Sequence, residues 1–121
     1  MKPRIATTWG PFLLALAGIY WFSSLPGVPG TQYVWDKLLH VVGYAGLGVL
    51  ALRAFHGDLT PTPPSVTLLA GLVVGLWGVS DEYHQSFVPG RDASTWDVVA
   101  DAVGFLVAVG IATLWVKRRR V

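Results

Sequence analysis

The 121-residue chain has no cysteine and few charges. Without cysteine there is no disulfide framework, no thiolate metal centre and no cysteine nucleophile. Charged residues make up 13% of the chain, about half the roughly 25% of an average soluble domain. Hydrophobic residues make up 53%, and the mean hydropathy is +0.53. A soluble fold of this size would have too little polar surface to cover itself, and such a composition also excludes disorder. Sustained apolar–polar alternation is missing, which excludes a transmembrane β-barrel of about eight strands. No HExxH, phosphate-binding loop or nucleophile elbow is present. The formal charge of +2 and the pI near 9.2 do not point to nucleic acid, because four of the nine basic residues form the run Lys117 to Arg120 after an apolar stretch. Such a stub is a membrane-topology signal.

What is present is four apolar stretches, about 9–25, 35–55, 66–85 and 96–116. Each is close to the roughly 20 helical residues that cross a bilayer, so the fold expected is an all-α integral membrane protein, one domain over 1–121 built as a four-transmembrane-helix bundle. Pro- and Gly-rich connectors separate the spans. Lys2 and Arg4 ahead of the first span resemble the start of a signal peptide, but that span is long for one and no small-x-small site follows, so it is read as a retained helix. Placing the N-terminus inside puts seven of the nine basic residues on the inner face, leaving Lys37 and Arg91 outside. The expectation is a multi-pass membrane protein with both termini cytoplasmic. Trp9, Trp21, Trp35, Trp96 and Trp115 fall near span ends, where amphipathic rings suit the headgroup level.

The acidic residues gather at the other end. Asp36, Asp81, Glu82, Asp92, Asp97 and Asp101 map to the outer half with His40 and His84, leaving only Asp58 inside. Asp36, His40 and Tyr44 recur every four residues along one stripe of the second span, and Asp97 and Asp101 do so on the fourth. Asp101 lies about 6 Å deeper than Asp97 at a rise of 1.5 Å per residue. Asp81, His84 and Gln85 share a face of the third span, while Glu82 is turned about 100° away. Carboxylates within a bilayer cost several kcal/mol unless paired, hydrated or protonated, so they face the bundle interior or a watery cavity. Six carboxylates against Lys37 and Arg91 leave a formal surplus of four negative charges. Protonation or a bound cation must balance it. Taken singly, Asp36 with Lys37 and Asp97 suit solvated helix starts, and His40 with Tyr44 suits interhelical hydrogen bonding. Arg53, His56 and Asp58 read as a solvated inner loop. Gly71 with Gly75, and Gly43, Gly46, Gly48, Gly78 and Gly104, read as close-packing positions that also suit a homodimer.

Four blocks in order, Asp36-Lys37-x-x-His40-x-x-x-Tyr44, Ser80-Asp81-Glu82-Tyr83-His84-Gln85, Pro89-Gly90-Arg91 and Ser94-x-x-Asp97-x-x-x-Asp101-x-x-Gly104, give a resemblance that covers nearly the whole chain. It resembles the VanZ-like family of small bacterial membrane proteins, departing at Asp101, where asparagine is expected at least as often. The name-giving members are associated with low-level resistance to teicoplanin, a lipidated glycopeptide. The resemblance therefore implies a place in the cell envelope, in a bacterial cytoplasmic (inner) membrane, and supplies no mechanism.

Two main functions fit these residues. In the first, an outer-facing polar site of Asp36, His40, Tyr44, Asp81, Glu82, His84, Gln85, Arg91, Asp97 and Asp101 binds or modifies a lipid-like ligand: a membrane lipid, a lipid-linked precursor or a lipidated antibiotic. Arg91 would pair with a phosphate or carboxylate there. In the second, a membrane-embedded hydrolase or transferase acts on a lipid phosphate with a divalent metal ion held by Asp81, His84, Asp97, Asp101 and His40. Glu82 would then be the general base, and Arg91 would stabilise the developing charge. Proton- or cation-coupled transport and a scaffold role are further readings, and transport is disfavoured because the polar residues stop at Tyr44. Whether a bond is broken stays open.

Overall fold

The computed structural model describes residues 5–25, 33–57, 62–89 and 94–119, without the side chains of 33–36 and 119. Four helices account for nearly all of them: α1 (Ile5–Ser23), α2 (Tyr33–His56), α3 (Pro64–Gln85) and α4 (Thr95–Arg119). All four are long and apolar enough to cross a membrane. The chain is a multi-pass, all-α membrane protein with no strand among the described residues. The helices overrun the expected spans at most ends; α1 begins at Ile5, four residues before Trp9.

Local chemistry sets the ends. Gly57 closes α2 in the left-handed region at φ 85°, its N–H donating to the Arg53 carbonyl at 2.8 Å, a cap that glycine adopts without steric cost. Pro64 opens α3, where a missing N–H is harmless. Ser94 caps α4: its Oγ accepts the Trp96 N–H at 3.1 Å and its carbonyl accepts the Asp97 N–H at 2.9 Å.

The exterior is apolar, with Leu14, Leu68, Leu76, Leu106 and Leu114 exposed, as a lipid-facing surface requires. Packing cannot then rely on hiding apolar area, and small residues that let backbones approach take over. α2 and α4 form the closest pair. A Cβ on Gly104 would lie 2.6 Å from the Val41 carbonyl oxygen and 2.9 Å from the Ala45 nitrogen. One on Gly48 would lie 2.6 Å from the Ala108 Cβ. Gly78 makes room for Asp101, and Gly71 sits against the Phe105 ring. Gly43, Gly46 and Gly75 differ from expectation: no neighbouring helix lies within 4 Å of a Cβ built there.

At one end of the bundle Trp9, Phe12 and Phe55 form an aromatic cluster with centroids 4.9–6.1 Å apart. Trp9 is thus packed between helices, while Trp21, Trp96 and Trp115 stand exposed near helix ends. Arg53, expected in a solvated loop, lies in the last turn of α2 and donates from Nη1 to the Thr7 carbonyl at 2.8 Å. Pro11 explains this bond. It lies inside α1 and has no N–H to give the carbonyl four residues earlier, which is that of Thr7. Asp58 lies outside the described residues.

Candidate polar site and lateral cavity

The opposite end carries the charges. Because the helices run alternately up and down, the C-terminal ends of α1 and α3 meet the N-terminal ends of α2 and α4 there. On α4 a single stripe of Asp97, Asp101, Gly104, Ala108 and Ala112 is buried. Its small members bring α2 into backbone contact, and its two aspartates are carried into the bundle by the same geometry. Asp97 is 0% exposed and Asp101 2%.

α2 answers with its own stripe. Lys37 Nζ forms a short ion pair with Asp97 Oδ1. His40 Nδ1 lies 2.6 Å from Asp101 Oδ1, and its Nε2 lies 4.0 Å from Asp97 Oδ1. One helical turn deeper, the Tyr44 hydroxyl donates to Asp81 Oδ2 at 3.3 Å. From α3, Glu82 brings its carboxyl beside that of Asp97 and within electrostatic reach of His40. Asp97 Oδ2 and Asp101 Oδ2 are buried without a hydrogen-bond partner among the described residues. Two carboxylates are acceptors only, so the Glu82–Asp97 contact needs a proton, a cation or another donor between them.

Gln85, one turn beyond Asp81 on α3, reaches α1. Gln85 Nε2 donates to Ser23 Oγ at 3.1 Å. His84 also turns to α1, its Nε2 2.9 Å from Ser24 Oγ and its ring stacked on Tyr20 at 4.5 Å between centroids. Ser24 bonds the Tyr20 carbonyl at 2.8 Å, so its one hydroxyl proton is committed and His84 is the donor in their contact.

Between α1 and α2 lies a cavity of about 430 Å³. Gly18, Ile19, Gly43, Gly46 and Leu50 contribute apolar wall, and Ser23, His40, Tyr44, Asp81 and Gln85 form its polar part. Phe22, Leu39 and Val42, also in the lining, are exposed on the flank of the bundle. The opening is therefore sideways, within the membrane-crossing part of the helices. Gly43 and Gly46 show no close neighbour because they are the wall of this space.

The structure thus gathers His40, Tyr44, Asp81, Glu82, Gln85, Asp97 and Asp101, as the helical spacing predicts. It sends His84 to α1. Asp36 lies in the first turn of α2 with its side chain outside the described residues, as are Arg91 and Asp92. Among the described residues no three His, Asp or Glu side chains converge as around a metal ion. His40, Asp81, Asp97 and Asp101 approach one another in pairs, and His84 points elsewhere. The third span's face divides, with Asp81 bonded by Tyr44 of α2 while His84 and Gln85 reach Ser24 and Ser23 of α1. Sequence reasoning missed Lys37 as a partner of Asp97, and it missed α1, whose Ser23 completes the site through Gln85 and whose Tyr20 and Ser24 hold His84 outside it. Two adjacent hydroxyls closing an apolar span were the available signal.

A family model described as VanZ/LLP1 matches residues 6–116. The chain belongs to the VanZ/LLP1 family. That match takes in all four helices, and with them every described residue of the polar site of this VanZ/LLP1 member. No curated protein and no solved structure matches the chain.

Proposed function

We propose that this VanZ/LLP1 protein acts in the bacterial cell envelope by binding or modifying a lipid-like or lipid-linked ligand. One observation carries the reading: the lateral cavity between α1 and α2 joins apolar wall to buried polar side chains. An apolar pocket of this size with a few convergent polar groups is the ordinary form of a small-ligand site. A sideways opening in the membrane-crossing region admits amphiphiles from the bilayer. His40 links the cavity to the charged cluster behind it. The metal-assisted reading on a lipid phosphate gains no such support from the described side chains.

The distribution of Lys and Arg supports a polar end facing outwards and cytoplasmic termini in the inner membrane. The lack of native cysteine makes this simple to test with single cysteines on α4. A membrane-impermeant thiol reagent added to whole cells should modify Thr95→Cys and leave Arg118→Cys untouched; the reverse pattern would invert the topology. The association with teicoplanin extends to this chain as part of the proposal, with the lipidated drug or the lipid it meets as the ligand.

The direct test is Gly46→Leu, which fills the cavity from a position where a Cβ has open space. Native mass spectrometry of gently solubilised wild type should show a bound amphiphile that the variant lacks, with thermal stability unchanged. If lowered teicoplanin susceptibility follows expression, the variant should abolish it. Equal amphiphile retention by both proteins would remove the cavity from the account.

A further inference from the structure

The ligand's chemical class can be read from the groups that would meet it. This rests on the cavity being the ligand site and goes further by assigning the sign of the headgroup. The polar side chains in the lining are Ser23, His40, Tyr44, Asp81 and Gln85. None is Lys or Arg. Asp81, 4% exposed, brings a carboxylate to the cavity, and a carboxylate offers about four acceptor positions over its two oxygens. The Gln85 amide nitrogen is directed at Ser23. Among the described residues the one lining group able to carry positive charge, His40, is held by Asp101 and lies near Asp97.

The surroundings reinforce this sign. Asp81, Glu82, Asp97 and Asp101 stand against Lys37 and His40, a formal surplus of two negative charges even with His40 protonated, and of one when a proton lies between Glu82 and Asp97. Lys37 is engaged by Asp97 on the α4 side. Asp81 and Asp101 are within electrostatic reach of one another and of Tyr44. Low-dielectric walls focus such a field into the cavity instead of letting water screen it. An anionic headgroup placed there would meet like charge, a juxtaposition that costs several kcal/mol.

We infer that the cavity takes an amine-bearing membrane amphiphile, its hydrocarbon chain against the Gly43–Gly46 wall and its ammonium group bonded to Asp81. The apolar wall extends along α2 from Leu39 to Leu50, about 16 Å at the helical rise, which suits one chain lying parallel to α2. A phosphate-headed lipid of the same chain length is the competitor this arrangement rejects.

The test uses full-length protein in a non-ionic detergent and three probes of equal chain length: dodecylammonium, dodecylglycerol and dodecyl phosphate. Binding is read by native mass spectrometry and by the shift in unfolding temperature. Wild type should bind dodecylammonium at least about tenfold more tightly than dodecyl phosphate, with dodecylglycerol between. Asp81→Asn, which keeps the side-chain shape, should bring the ammonium and phosphate affinities within about threefold. Gly46→Leu should weaken all three, placing the binding in this cavity. Equal or tighter binding of dodecyl phosphate by wild type would overturn the headgroup assignment while leaving the lipid-ligand reading intact. Failure of all three probes to bind, or equal binding of all three by Gly46→Leu, would overturn both. The wild-type ranking decides the question even if Asp81→Asn does not fold.

Discussion

The two ends of this bundle are fastened by different chemistry. At the aromatic end Trp9, Phe12 and Phe55 interlock, small residues bring α2 against α4, and one cation, Arg53, bonds a carbonyl that Pro11 leaves without its helical donor. Every contact there has a packing reason. At the polar end His40, Asp97 and Asp101 are buried in the same α2–α4 interface, with Lys37 half-buried beside them. A buried ion pair gives weak net stabilisation because its desolvation offsets its attraction. The difference teaches that packing accounts for the aromatic end, while the polar end calls for another reason, which under the proposed function is what enters the cavity beside it.

Substitutions can break this comparison. Lys37→Ala should have the largest effect, about 3–5 kcal/mol, because it leaves the buried Asp97 beside Glu82 and Asp101 without its ammonium partner instead of removing a whole pair. Reversible unfolding in mixed micelles measures it, and a loss below about 1 kcal/mol would show that the charges are not held as the ion pair implies. Gly104→Ala comes next, at about 2–3 kcal/mol, since the atoms its Cβ meets belong to the backbone of α2 and cannot swing aside. Arg53→Ala should cost about 1 kcal/mol, the net value of one hydrogen bond. In a Pro11→Ala background most of that cost should vanish, because the substituted alanine would supply the missing N–H; an additive double-mutant cycle would refute the link between Pro11 and Arg53. Gly75→Ala should be the mildest, within about 0.5 kcal/mol, as nothing lies within 4 Å of the new methyl. If Arg53→Ala proved as costly as Lys37→Ala, the contrast between the ends would collapse.

The fold was largely legible because its signals are periodic. Four apolar stretches of bilayer length leave little choice of architecture, and the spacings of His40 with Tyr44 and Asp97 with Asp101 put each pair on one face. The pairing of those faces followed from up-and-down topology. What spacing could not say is which glycines meet a neighbour. Gly48, Gly78 and Gly104 do, and Gly43 and Gly46 border a cavity, although all five sit in similar apolar sequence. That distinction depends on which helix stands opposite each glycine, which no local pattern encodes. His84 illustrates the same limit, since it shares a helical face with Asp81 yet crosses to Tyr20 and Ser24. The Arg53–Thr7 bond was readable in principle: a proline inside a span frees a carbonyl four residues earlier, and a basic residue at the same end is its natural partner.

The central claim, that the buried charges serve the ligand and not the fold, is tested most directly by replacing a pair instead of breaking it. In His40→Leu with Asp101→Leu, apolar side chains take the place of the pair joined at 2.6 Å. Unfolding free energy and binding of dodecylammonium would be measured on the same preparation. The account predicts stability equal to or above wild type, with binding lost. A fall of about 3 kcal/mol or more, or binding that persists unchanged, would contradict it.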